Sequence, residues 1–469
     1  MNRTTRFSLL ALLAGASACS ESEDPCGVRD SQPGYGEHAP FDARAQVRRV
    51  DCGFQSSVND LAVGADGSVW LRRGEFENRG EESFFAPPLK RLTHVGGDGA
   101  ILGELALPDH VARHVVHPSG ELTVFGWEKE EDVAVIQVRR LRPDGSVVTE
   151  RRFTQDLSTE QRLDFVAKAD GSVTRTTVGE AERRAVVLLA RADGEDTVFL
   201  WALNGIRVGR LDASLATRWL SPVAPSVSLK VNTWEEMTAV GAPWVGWGLD
   251  VDEQGRAHVA TPLTGYQRRA YVDVFGREPA GAKERAFLLS SFSPTGEPLS
   301  ARAVAAQAPQ EIVGLVVRDG AFALGASERA AVGGRAETPD LYFASGRLDG
   351  AMQDDVVRAL DVDRDDEPTA FFACGQGRYC FAGHTAFEPQ KTGPAWSEGK
   401  GFLLSVDARG EQQGLTFLAG QRDTRVAAAG EGPEGSVVFA FITNEPPDLA
   451  RVRNHLKNNE TWLGRLDHP

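Results

Sequence analysis

Short runs in which apolar and polar residues alternate recur along the chain. Most lead into a glycine-bearing turn and then a second run of the same kind. The first member of each pair begins in Asp60–Leu71, Val115–Phe125, Leu163–Thr174, Gly248–Thr261, Val313–Leu324, Thr369–Phe381 and Arg425–Phe439. The turns carry Gly67, Gly120, Gly171, Gly255, Gly320, Gly377 and Gly435. A period of two around Asp-Gly or a similar turn predicts β-hairpins. A second hairpin follows each first one, with turns at Asp98-Gly99, Asp144-Gly145, Asp212-Ala213, Thr295-Gly296, Asp349-Gly350, Arg409-Gly410 and Asp467. Two hairpins make a unit of four strands, a to d. The 413 residues from Ser57 to Pro469 give about 59 per unit for seven units, longer than the roughly 40–50 residues of WD40 or kelch blades.

Seven four-stranded units predict an all-β fold, a seven-bladed β-propeller. The last unit stops inside its c–d turn and lacks a fourth strand. An orphan strand, Phe41–Cys52, precedes the first unit. An open ring would leave two sheet edges unpaired, so Ala45–Val50 is expected to pair with the C-terminal blade and close the ring. A β-sandwich with a separate domain is the alternative. The third unit is ambiguous: Ala185–Leu203 reads as an extra hairpin between strands b and c, and either pair could belong to the ring. Counted alone, the extra pair would make an incomplete eighth blade arguable. The segments Val208–Ser214 and Phe343–Gly350 resemble the c–d pattern apolar-x-Lys/Arg-Leu-Asp/Pro-x-Gly of tandem propeller repeats of about sixty residues in exported bacterial proteins. Ser214 departs from that pattern. The resemblance implies a fold and a binding or scaffold role, and carries over no site residue.

The first twenty residues, MNRTTRFSLLALLAGASACS, join a basic start at Arg3 and Arg6 to a short apolar run from Phe7 to Ala18. That is the form of an export signal and is short for a membrane span. Its end, Ala16-Ser17-Ala18-Cys19, resembles a bacterial lipobox, with Ala16 where that motif prefers Leu. Lipidation of Cys19 is expected, with ordinary cleavage and a periplasmic or secreted chain as the alternative. The division is then a signal at 1–19, a polar, Gly- and Pro-rich tether at 20–40, and one propeller domain at 41–469 whose first residues, 41–56, form the closing strand. The four other cysteines are Cys26, Cys52, Cys374 and Cys380. A hairpin between Cys374 and Cys380 would allow a disulfide, and Cys26 would then pair with Cys52; free buried thiols are the alternative.

The formal charge is −15, and −17 once residues 1–19 and their two arginines are removed. An acidic surface argues against general nucleic-acid binding. Hydrophobic residues at 41% and charged residues at 25% describe a globular chain.

Alternating strand direction puts all a–b and c–d turns on one face and all b–c and d–a connections on the other. The second set is long, so ligands are expected there. Its richest stretch, 221–284, holds Trp234, Trp244, Trp247, Tyr266, Arg268, Arg269 and Tyr271, residue types that dominate recognition surfaces; the bland reading is that the tryptophans pack the loop onto the ring. Asp361, Asp363 and Asp365 resemble the start of a calcium loop, although Asp366 stands where glycine is needed and Phe372 where the bidentate glutamate belongs. The bland reading is a solvated acidic loop, and no other cofactor is expected. His110, His114 and His117 would share a face only on a helix, and this stretch reads as loop and strand. Gly430-x-Gly432-x-x-Gly435 has dinucleotide spacing, but Pro433 and a following strand make it a turn.

The function expected is that of an exported, lipid-anchored monomer that binds an envelope protein, a peptide or a glycan through its long-loop face. Membrane contact would be through the lipid alone. The alternative is a glycosidase- or lactonase-like hydrolase with carboxylates at the central channel.

Overall fold

The structure is a computed structural model that describes residues 45–54, 57–75, 89–107, 111–130, 133–156, 161–167, 173–180, 186–202, 205–225, 246–262, 286–305, 310–328, 341–362, 366–385, 400–418, 424–444 and 458–467. Thirty strands are present among them. The first, β1 (Gln46–Phe54), stands apart from the strands that follow it in sequence. Blade 1 is β2 (Ser57–Val63), β3 (Val69–Glu75), β4 (Leu89–Val95) and β5 (Ile101–Ala106). Blade 2 is β6 (Val111–Val116), β7 (Leu122–Glu130), β8 (Val133–Leu141) and β9 (Val147–Asp156). A separate two-stranded sheet, β10 (Gln161–Ala167) and β11 (Val173–Glu180), follows. Blade 3 is β12 (Val186–Asp193), β13 (Asp196–Ala202), β14 (Gly205–Leu211) and β15 (Thr217–Pro225). Blade 4 is β16 (Gly248–Val251), β17 (Ala257–Pro262), β18 (Ala286–Phe292) and β19 (Pro298–Ala305). Blade 5 is β20 (Gln310–Arg318), β21 (Ala321–Glu328), β22 (Leu341–Arg347) and β23 (Val356–Leu360). Blade 6 is β24 (Asp366–Ala373), β25 (Arg378–Thr385), β26 (Lys400–Asp407) and β27 (Gln412–Leu418). Blade 7 is β28 (Thr424–Glu431), β29 (Val437–Asn444) and β30 (Asn458–Leu466), with β1 as its outer strand.

Every pairing is antiparallel, and the inner strands touch in the cyclic order β2, β6, β12, β16, β20, β24, β28 and back to β2. This is a seven-bladed β-propeller. The closing strand predicted from the sequence pairs as expected and runs further: Gln46 lies opposite Arg465 and Phe54 opposite Asn458.

The third unit needs a correction. The ring pair is β12–β13, and the hairpin within Leu163–Thr174 forms β10–β11 outside the ring. The extra pair at 185–203 is therefore the inner half of blade 3, and no eighth blade arises from it. The physical reason is visible in composition. An inner strand is covered on both faces by neighbouring blades, and so reads as a nearly continuous apolar run. β12 and β13 supply Val187, Leu188, Ala190, Phe199 and Trp201, all buried, whereas β11 reads VTRTTVGE.

Inner strands crowd together near the axis. In six blades the inner strand carries a register shift at one place: Val58/Asp60, Val111/Arg113, Val187/Leu189, Ile312/Gly314, Pro368/Ala370 and Val426/Ala428. A bulge bends a strand and raises its twist, which suits a ring. Gly314 sits at one of them because a Cβ there would lie 2.4 Å from the carbonyl oxygen of Phe371 in the next blade. The c–d turn of blade 3 lacks glycine. Leu215 takes its place with φ 63°, buried and packed against blade 2.

Candidate functional site

Three groups of polar side chains emerge from this scaffold. The first lines the inner strands. Asp60 of blade 1 faces Arg113 Nη1 at 3.7 Å and His114 Nδ1 at 3.6 Å, both on blade 2. His114 Nε2 lies 3.0 Å from the Trp70 carbonyl, and Arg113 Nε donates to the Leu188 carbonyl of blade 3 at 2.7 Å. On the far side, Asp250 of blade 4 accepts from the Val317 amide of blade 5 at 2.7 Å. Arg318 of blade 5 pairs with Glu431 of blade 7. Burial pushes the Asp250 carboxyl up to about 6, against the pull of Arg191. Carboxylates do approach the axis, and each of these three also bridges two blades.

The second group has the chemical order of a hydrolytic triad. Asp252 Oδ2 lies 3.0 Å from His258 Nε2, and His258 Nδ1 lies 2.9 Å from Ser291 Oγ. Burial holds the imidazole below the ordinary histidine range, against the opposing effect of Asp252, so the ring is neutral near pH 7 and can accept from the serine. The three side chains are nevertheless closed off: Asp252 is 4% exposed, His258 1% and Ser291 6%. A nucleophile must reach its substrate, and this hydroxyl lies inside a sheet.

Position explains the triad better than chemistry does. Asp252 and His258 bracket the a–b turn, six residues apart. His117 and Thr123 bracket the same turn in blade 2, with Nε2 and Oγ1 2.8 Å apart. Cys374 and Cys380 bracket it in blade 6 and form a disulfide. In each case the first residue donates its amide across the turn, to Arg256, Glu121 and Arg378 respectively. Three different chemistries fasten one structural place. The cysteine pair was legible from spacing; the other two were not.

The third group joins blades 2 and 3. Arg140, fully buried, donates through Nε to Glu121 at 2.8 Å and through Nη1 to the Glu195 carbonyl at 3.1 Å, and pairs with the Glu195 carboxylate. His117 Nδ1 lies 3.0 Å from the Gly194 carbonyl. Ser119 donates to Glu195 through its amide and its hydroxyl, each at 2.9 Å.

Of the aromatic patch proposed from sequence, Trp247 is 8% exposed and packs between blades 3 and 4 with Trp219, Leu249 and Phe292. Trp234, Trp244, Tyr266, Arg268, Arg269 and Tyr271 lie outside the described residues, as do Cys19, Cys26, His110, Asp363 and Asp365. Cys52 lies in β1 opposite Glu460, and its side chain is outside the description. Asp361 is exposed. Among the described residues no three His, Cys, Asp or Glu side chains are placed to hold a metal ion. The Gly430–Gly435 segment is a turn, with Gly432 donating to the Ser436 carbonyl at 2.7 Å. The sequence reading missed an outer groove between β5 and blade 2, lined by Leu105, Leu107, Val124, Leu141 and Val147. The apolar start of β9, where Val147 is 52% exposed, was the available signal.

No protein-family model matches the chain, and no curated protein does. Several solved structures are similar in shape. The WD40 domain of Toxoplasma gondii coronin gives a TM-score of 0.41 at 7% identity, covering 91% of this chain and 87% of that one. The phage phi92 endosialidase gives 0.41 at 9% identity, covering 92% and 70%. A protein of unknown function from Bacteroides caccae gives 0.33 at 10% identity, covering 70% and 89%. Likeness at this level says nothing of activity, and the architecture rests on the strand pairing.

Proposed function

We propose that this chain is an exported, lipid-anchored binding or scaffold protein that engages its partner through the face carrying the b–c and d–a connections. One observation carries the reading: the two faces are built differently. The a–b and c–d turns are short and closed by hydrogen bonds. The connections at 76–88, 226–245, 263–285, 329–340, 386–399 and 445–457, of 12 to 23 residues, join strand ends at the opposite face. Long connections on a rigid scaffold are where recognition concentrates. The engagement of Asp60, Asp250 and Glu431 in bonds between blades also favours a scaffold over a channel hydrolase. The Cys374–Cys380 disulfide supports an oxidising compartment.

The test is binding to envelope fractions by the chain lacking residues 1–19, compared with a variant whose 226–245 and 263–285 connections are replaced by short Gly/Ser linkers. Specific cross-linking lost in the folded variant would support the reading. Equal cross-linking would move recognition elsewhere. Turnover of chromogenic glycosides or lactones by the parent chain would favour the hydrolase instead.

A further inference from the structure

The direction of β1 bears on how an anchored chain would stand. Gln46 is opposite Arg465, at the end of β30 that leads to Asp467, and Phe54 is opposite Asn458 at the other end. β1 therefore starts on the face of the tight turns and runs toward the face of the long connections. Its start is fixed in place. Ala45 is 0% exposed and shares a core cluster with Leu466 and with Cys374 and Cys380, which bracket a tight turn of blade 6.

We infer that the chain leaves the ring at the rim of its tight-turn face, so that an anchor at Cys19 sets this face toward the membrane and offers the long connections to a partner away from it. This rests on the lipid-anchor reading above. Residues 20–44 are 25 in number, and a flexible chain of that length spans about 25–30 Å on average. A nine-residue strand such as β1 is itself about 30 Å long. Turning the long-connection face to the same membrane would stretch the tether along the whole thickness of the ring, at an entropic cost that the other orientation avoids.

Charge opposes the tether at short range and so limits how closely this face approaches. Asp66, Asp98, Asp144, Glu253, Asp319 and Glu434 are exposed on the tight turns. Arg142 and Arg409 are exposed on the same face, and Arg318 and Arg347, exposed beside them, are paired with Glu431 and Asp349, so carboxylates remain in excess. Anionic headgroups would repel such a face over roughly a Debye length, about 8 Å at physiological salt. That is well within the tether's reach. The ring would stand off the surface rather than lie on it, and the partner would be soluble or on an opposing surface, not embedded in the same leaflet.

The experiment uses residues 20–469 with an N-terminal histidine tag, bound to phosphatidylcholine vesicles containing a nickel-chelating lipid, with and without phosphatidylglycerol. A donor fluorophore is placed through an azide-bearing amino acid at position 98, on a tight turn, or at position 106, at the opposite end of β5. Energy transfer to a headgroup acceptor is expected to be clearly greater from 98 than from 106, and to fall at both when phosphatidylglycerol is added. Equal transfer, or greater transfer from 106, would overturn the orientation. The tag replaces the natural lipid, so this result does not depend on modification of Cys19. Mass spectrometry of the mature N-terminus tests that separately, and an unmodified Cys19 would defeat the anchor while leaving the exit geometry standing.

Discussion

Asp252 and His258 meet carboxylate to imidazole across the a–b turn of blade 4, 3.0 Å apart, in the place where blade 6 carries the Cys374–Cys380 disulfide. Both pairs pin the turn to the strand that follows it. A covalent clamp limits the unfolded chain as well, by an amount near 2 kcal/mol for so short a loop. The double variant Cys374→Ala/Cys380→Ala should therefore unfold at lower urea, with about 2–3 kcal/mol lost once the small cavities are included. Reductant should weaken the parent chain more than the variant. An unmoved midpoint would show that the turn holds without the clamp.

Acid should loosen the ring. Burial holds His94, His114, His117 and His258 below the ordinary histidine value. The unfolded chain takes up these protons near pH 6.5 and the folded chain resists them. The stability is complete above about pH 6.5 and falls as the pH drops below it, by up to about 1.4 kcal/mol per unit of depression for His114, His117 and His258, and by less for the more solvent-screened His94. His117 faces Arg140, Glu195 and Glu121, and its Nε2 must stay unprotonated to accept from Thr123. Urea unfolding between about pH 7.5 and 5.5 should show the slope, and His117→Gln should flatten it. A slope unaltered in that variant would remove His117 from the account.

Asp250 works in the opposite direction. Its folded value, about 6, lies above the ordinary 3.8. The folded state therefore holds a proton that the unfolded state has released, and the carboxyl's contribution is lost as the pH rises from about 4 through 6. Asp250→Asn keeps an acceptor for the Val317 amide and cannot ionise. The variant should melt higher than the parent near pH 7 and match it near pH 4. A lower melting point at neutral pH would mean that the charged form, held by Arg191, is needed.

Arg140 is the buried cation of the blade 2–3 seam. Arg140→Met preserves bulk and strands two glutamates. Glu121 and Glu195 are 28% and 42% exposed, so water recovers part of the loss. A cost of about 2–4 kcal/mol is expected, below the upper range for a fully buried pair. Glu195→Gln should cost less, because Arg140 keeps Glu121 and the Glu195 carbonyl. Equal losses in the two variants would contradict this ranking.

Local signals carried most of the architecture. Turn glycines such as Gly67 and Gly296 need positive φ, so they mark strand ends in the sequence. The closing strand was legible because the ring needs one more strand than the last unit contains. Blade 3 was misread because both of its candidate hairpins obey the same local rule. Only the density of apolar residues in Val186–Ala202 distinguishes a strand buried on two faces. The seams were not legible at all. Arg140 meets Glu195 across 55 residues and Arg318 meets Glu431 across 113, and nothing in either neighbourhood announces its partner. The triad-like order Asp252, His258, Ser291 depends on strand register, which spacing alone does not supply.

The pairing of β1 with β30 has a consequence in time. β1 must wait for β30, whose first residue, Asn458, follows Phe54 by 404 residues (458 − 54). Until β30 is made, β1 and β29 each present an open hydrogen-bonding edge, and a ribosome-bound chain has no way to seal either. Loss of a few residues from either end of the ring would recreate that state permanently, leaving two sticky edges in place of one seam.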